Sequence, residues 1–318
     1  VEGVDAVVAR GREGALYKLM FPLSKLLFHN VGLIVACQFR SGSALNTARL
    51  VEGVDAVNFK VERQTLVHPI AIWTHHKSGT NLFEQISGDL ATVLEMPLYI
   101  LTMPLVFARC EPDAITLHVN PLTPYAIGCL EEFPDIRALH VVRRPMSMIA
   151  SAYSYTKKLS PDNNQDETPS TIEMAEEIKT EPRDVGLRRI CEDEARNPHY
   201  MQSMVGIHEL MKSSKNIKEV RLENIENDFN GTMRSIFQHL AGNDPRVDLF
   251  IERASRGDLS RMPQERLDTV LRSGHVSEER EKNESMAVLQ SMLEAGDPCV
   301  HWAAQMDERM GYNEGFAQ

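Results

Sequence analysis

A short apolar run, Pro69-Ile-Ala-Ile-Trp73, leads into Lys77-Ser78-Gly79-Thr80, and this junction most constrains the fold of the chain. The run is bounded by a proline and a turn, contains β-branched residues and lacks charge. It reads as a buried parallel strand. Beyond the turn, Leu82, Ile86, Leu90 and Leu94 recur every four residues, which predicts a helix from Asn81 to Leu94.

The same alternation recurs downstream. Residues 114–119 and 136–142 read as strands, and Pro145 opens a helix through about Lys158. Residues 217–222 read as a fourth strand, followed by a helix from about Asp228 to Leu240. Strands alternating with helices predict an α/β fold with a parallel β-sheet flanked by helices. Residues 160–168 read as a polar loop, and 172–215 as charged helices. The C-terminal third reads as Met-bearing helices over one end of the sheet.

The chain has 318 residues, enough to bury a sizeable core. Residues 61–318 are expected to form one domain, and 1–60 an N-terminal extension. That extension contains the heptapeptide Val-Glu-Gly-Val-Asp-Ala-Val at 1–7, repeated at 51–57 with no matching flanks. Net charge is −11, which argues against a nucleic-acid partner. Residues 60–158 nevertheless carry nine basic and nine acidic side chains, so a small anionic ligand there is compatible with the acidity. The cysteines at 37, 110, 129, 191 and 299 are odd in number, scattered and free of any CxxC spacing. They predict a reducing, cytoplasmic setting with no disulfide framework and no metal site. Residues 19–39 are apolar but interrupted by Lys25, His29 and Asn30. A membrane role is not expected; a Golgi signal anchor is the minor alternative.

Two turns carry the chemistry. At His75-His76-Lys77-Ser78-Gly79-Thr80-Asn81 a strand gives way to a helix, where free N–H groups and the helix dipole favour an anion. Lys77 adds a mobile charge, Ser78 and Thr80 add hydroxyls, and Gly79 permits close backbone approach. The plain alternative is a helix start with a solvated lysine. The NTPase spacing GxxxxGK[ST] is absent. At Val142-Arg143-Arg144-Pro145 a second strand delivers Arg143 to a helix start. Ser151 follows about two turns along that helix.

Together these turns resemble the sulfotransferase family that uses 3′-phosphoadenosine 5′-phosphosulfate. His76-Lys-Ser-Gly-Thr-Asn-Leu82 resembles its 5′-phosphosulfate loop. Arg143, Pro145 and Ser151 resemble its 3′-phosphate motif, and Val220-Arg-Leu-Glu-Asn-Ile225 is a softer match. The resemblance implies a P-loop-kinase-like fold and transfer of a sulfuryl group to a hydroxyl or amine of a small-molecule or glycan acceptor. It implies adenosine 3′,5′-bisphosphate as product and no required metal. Lys77, Ser78, Gly79, Thr80 and Asn81 would surround the 5′ end, and Arg143 and Ser151 the 3′-phosphate. Arg272 and Gly274 are what remains of the family's C-terminal motif, and its usual stacking aromatic is Leu82 here.

A base must take the acceptor's proton. His118 sits where the family places one, with His75 and His76 as rivals. His140, at mid-strand, reads as structural, while Glu84 and Glu111 stay open. The competing functions are a nucleotide or metabolite kinase and a catalytically idle nucleotide-binding protein on the same fold. Oligomeric state and acceptor are open, with residues 96–108 and 160–180 as the acceptor-facing stretches.

Overall fold

Five parallel strands and twelve α-helices are seen in the computed structural model, which describes residues 68–101, 110–159, 169–272 and 278–312. In chain order these are β1 (Ile70–Thr74), α1 (Thr80–Leu94), β2 (Leu98–Leu101), β3 (Ile115–Val119), α2 (Thr123–Glu132), β4 (Arg137–Val142) and α3 (Pro145–Lys158). There follow α4 (Pro169–Thr180), α5 (Arg183–Arg196), α6 (Ser203–Met211), β5 (Ile217–Arg221), α7 (Leu222–Asn227) and α8 (Phe229–Ala241). The last are α9 (Val247–Ala254), α10 (Gln264–Arg272), α11 (Glu279–Glu294) and α12 (Pro298–Arg309). The expected extension, both copies of the repeated heptapeptide, the apolar segment at 19–39 and the loop at 160–168 lie outside the described residues.

The sheet order is β2-β3-β1-β4-β5, and every pairing is parallel. β1 is central and buried along its whole length, which is why its sequence is continuously apolar. Alternate residues face opposite layers. Ile70 and Ile72 meet Phe83, Ile86 and Leu90 of α1, together with Phe229, Ile236 and Phe237 of α8. Ala71 and Trp73 meet Ala126 of α2 and Ile207 of α6. The α/β expectation and the parallel sheet are thus both present.

Three features refine or overturn the sequence reading. β2 occupies part of 96–108, a stretch expected to be an acceptor loop; residues 102–109 are outside the described set. The C-terminal helices α11 and α12 pack on α3 and α5, and α12 reaches the carboxyl ends of β4 and β5 through Asp307 and Met310. Leu289, Met292, Val300, Ala303 and Met306 pack with Met146, Ile149 and Tyr153 of α3, because the methionines fill gaps between helices. Third, Cys110 pairs with Cys129 and Cys191 with Cys299, at Cα separations of 5.4 and 6.1 Å. The free-thiol expectation fails for these four, and the reducing-compartment argument loses its support. Pairs separated by 19 and 108 residues leave no local spacing to read. Among the described residues no helix is long and apolar enough to cross a membrane.

Candidate nucleotide site

The connection after β1 runs through α1 on one face, and those around β4 run through α2 and α3 on the other. The carboxyl ends of β1 and β4, where parallel α/β sheets take ligands, therefore carry turns that leave toward opposite faces. Both charged turns lie there. Thr74 and Val142 end the two strands, so residues 75–79 and Arg143 leave the sheet side by side.

The first turn is built by its own hydrogen bonds. The His75 N–H donates to Ser78 Oγ at 2.8 Å, and Ser78 Oγ donates to the His75 carbonyl at 2.9 Å. The Ser78 N–H reaches the same carbonyl at 3.0 Å. Ser78 is therefore fully buried and shapes the loop; its hydroxyl is already engaged. Lys77 takes a left-handed backbone, φ 58°, a conformation that costs a non-glycine residue about 1–3 kcal/mol and clusters at ligand sites. Gly79 follows at φ 99°, and a Cβ there would stand 3.0 Å from Leu222 Cδ1. No side chain caps α1 and no acidic residue occupies its first turn, so its leading N–H groups suit an anion. The Thr80 hydroxyl reaches the His75 carbonyl at 3.3 Å, while Asn81 is exposed at the helix start.

The second turn is joined to the first. Arg143 is 9 % exposed and donates from a guanidinium nitrogen to the Lys77 carbonyl at 3.2 Å. The Lys77 ammonium lies 3.2 Å from the centre of the Tyr155 ring. Tyr155 stands one turn beyond buried Ser151 on α3, so both share the face that meets the loop. Lys77 and Arg143 are thus joined directly, and Ser151 is buried one turn before Tyr155 on α3. Tyr155 was missed, although its i, i+4 spacing from Ser151 was readable.

The three candidate bases separate. His75 is fully buried, with Nε2 3.0 Å from Nε2 of His140, whose Nδ1 meets Met211 Sδ at 3.3 Å. Burial pushes His75 down to about 3 and holds His140 well below the usual imidazole range, so both are neutral core residues. His118 is 2 % exposed, and burial pushes it down to about 4. Its Nε2 faces Cys110 Sγ at 3.7 Å. His76 is different. It is half-buried, its Nδ1 is hydrogen-bonded to the buried carboxylate of Glu194, and its ring stacks on Tyr200 at 4.5 Å. Glu194 lies 118 residues from His76 on α5, so no sequence signal linked them. Glu111 is exposed, and Glu84 is partly buried with its carboxyl raised by that burial.

The C-terminal expectations fare differently. Gly274 lies outside the described residues, as does the side chain of Arg272, the last residue of α10. Leu82, where an adenine-stacking aromatic was sought, packs toward Gly257; a Cβ on Gly257 would stand 2.6 Å from Leu82 Cδ1. A groove of about 620 Å³ runs between α5 and α11, past Arg188, Val288 and Asp297, and neither turn contributes to its lining.

Asp307 of α12 locks the start of α3. Its carboxylate accepts from Arg144 Nε at 2.9 Å and from the Met146 N–H at 3.1 Å. Burial nevertheless pushes its carboxyl up to about 6, against the pull of Arg144. The folded chain therefore holds this proton more tightly than the unfolded one. Between pH 4 and 6 that difference makes stability fall as pH rises, by roughly 2–3 kcal/mol for this group. Urea unfolding of the wild type and of Asp307→Asn at pH 4.5 and 6.5 checks this. The wild type should lose more stability than the variant on going to the higher pH; equal losses would remove Asp307 as the cause.

No protein-family model and no curated protein matches the chain. Among solved structures, the crystal structure of a mouse sulfotransferase complexed with PAP aligns with 76% of this chain and 90% of its own. The identity is 14% and the TM-score 0.43.

Proposed function

We propose that the chain is a sulfotransferase that takes its sulfuryl group from 3′-phosphoadenosine 5′-phosphosulfate. The observation that carries this reading is the joining of the two turns at the carboxyl ends of β1 and β4. There Arg143 bonds the Lys77 carbonyl beside the uncapped start of α1. Two separate cationic points suit a small ligand with phosphates at both ends. The donor set fits those phosphates; the loop offers no aromatic platform for the base, since Leu82 is packed away.

The donor supplies a sulfuryl group on a stable leaving phosphate. Lys77 and the first-turn N–H groups of α1 stabilise the charge that gathers on that phosphate as the sulfur–oxygen bond breaks. Arg143 and Ser151 hold the far end in register, which keeps the transfer in line. His76 is the base: with Nδ1 held by Glu194, Nε2 takes the proton as the acceptor oxygen bonds to sulfur. Glu194 acts through His76 and is a positioning residue. The acceptor is a hydroxyl- or amine-bearing small molecule or glycan.

Thermal melting with adenosine 3′,5′-bisphosphate tests the binding. At a hundred times its dissociation constant the ligand should stabilise the chain by about 2.7 kcal/mol, and more than ATP with magnesium does. No shift with the bisphosphate sinks the proposal, and a larger one with ATP favours a kinase. The base is tested by turnover. His76→Ala should lose about 10²–10⁴-fold, and Glu194→Gln should displace the pH profile. If His118→Ala shows the large loss while His76→Ala does not, the base is His118.

A further inference from the structure

The layer between the sheet and α2 gathers three soft ligands that the proposed transfer does not use. Cys110 precedes β3, His118 lies near the end of β3, and Cys129 lies on α2; all three are buried. Their Sγ and ring nitrogen atoms all lie within 4.8 Å of one another. Cys110 Sγ and His118 Nε2 are 3.7 Å apart. Tetrahedral zinc, with bonds of about 2.3 Å to sulfur and 2.0–2.1 Å to nitrogen, sets those two atoms about 3.6 Å apart.

We propose that Cys110, Cys129 and His118 form a binding site for a zinc-class divalent cation when the Cys110–Cys129 disulfide is reduced. The ligand chemistry selects the metal class. Two thiolates and an imidazole suit zinc or cobalt, whereas magnesium and calcium require oxygen donors. The charge suits the place as well. A divalent cation with two thiolates and a neutral imidazole is neutral overall, which the surrounding Trp73, Ala126 and Ile136 tolerate far better than an isolated ion. Three protein ligands leave one tetrahedral position for water or another exogenous ligand.

The balance is simple. A dithiol reductant gives the disulfide two electrons and two protons, and is itself oxidised to its own disulfide. The cation then displaces both protons and binds the two thiolates. A disulfide oxidant reverses this by exchange: it takes two electrons from the pair and is reduced to its dithiol, while the sulfur–sulfur bond forms and the cation is expelled. His118 Nε2 is a ligand in the metal state and accepts no substrate proton there.

The full chain is reduced with dithiothreitol, desalted without oxygen and titrated with cobalt(II) alone. One cobalt per chain should bind with a thiolate-to-metal charge-transfer band and the intense visible bands of tetrahedral cobalt, and zinc should abolish both. In the reduced wild type, zinc should slow alkylation of Cys110 and Cys129, mapped by peptide mass, about tenfold or more, and leave Cys37, Cys191 and Cys299 unprotected. Cys129→Ser and His118→Ala should weaken binding by more than about 100-fold, since loss of even outer-shell partners costs 10–100-fold. Absence of the thiolate band, protection at other cysteines, or equal binding by the disulfide form overturns the proposal. The alkylation arm uses wild-type protein, so a variant that fails to fold leaves the test decisive. Bisphosphate binding is read separately by melting, so this site and the nucleotide site fail independently.

Discussion

Lys77→Ala is expected to lower transfer from 3′-phosphoadenosine 5′-phosphosulfate by about 10²–10³-fold in kcat, the loss typical when one preorganised charge-stabilising donor is removed. The argument rests on where charge appears. A sulfuryl transfer leaves negative charge on the departing phosphate, and Lys77 is the ammonium on the loop that meets it. The same substitution should disturb folding little. Lys77 is half-buried, and its contact with the Tyr155 ring contributes about 0.5–1 kcal/mol. The loss should therefore fall on kcat with the melting temperature nearly unchanged. Melting with the bisphosphate should still show a shift, smaller than in the wild type, because Arg143 and the α1 start remain. Steady-state kinetics with a broad acceptor panel checks this. Activity within threefold of wild type would remove Lys77 from the chemistry.

The second large effect is on stability. Cys191 on α5 and Cys299 on α12 close a loop of 108 residues that includes α6 through α11. Chain-entropy reasoning assigns a cross-link of that span nearly 5 kcal/mol, and measured values for native disulfides run about 2–5. The Cys110–Cys129 link spans 19 residues and by the same relation contributes about 3 kcal/mol. The double variant Cys191→Ala/Cys299→Ala should therefore unfold at markedly lower urea than Cys110→Ala/Cys129→Ala. In a chain of this length each kcal/mol moves the melting temperature by about 2–4 °C, so the first double variant should melt roughly 10 °C lower or more. Adding reductant to the wild type should reproduce the combined loss. If the Cys191/Cys299 variant loses less than about 1 kcal/mol, the long link is not holding α12 to α5.

Legibility in the sequence followed distance along the chain. Elements announced by a local period or a proline were readable: β1 by its uninterrupted apolar run, α1 by its four-residue step, and α3 by Pro145. β2 was lost because four residues, Leu98 to Leu101, give too short a pattern to separate a strand from a loop. Lys77, Arg143 and Ser151 could be singled out because a strand-to-helix turn is itself a local signature. What joins them was not: the Arg143 bond to the Lys77 carbonyl spans 66 residues, and Glu194 reaches His76 across 118. The histidines illustrate the limit. His75 and His76 are adjacent and alike in sequence, yet one ring faces His140 in the core and the other faces Glu194 of α5. The alternation of a strand entering a turn separates them, and only the loop's hydrogen bonds fix where the alternation stops.

The Asp307 lock sets an order of events during synthesis. Arg144 and the first turn of α3 leave the ribosome 163 residues before the carboxylate that holds them. At about 5–20 residues per second that interval is roughly 8–30 s. Through it Arg144 Nε and the Met146 N–H lack their acceptor, although Glu223, which takes the Arg144 N–H, follows after 79 residues; the loop at Lys77 already has every partner it needs for its own internal bonds. The acceptor for the Met146 N–H is thus made last, after every strand of the sheet.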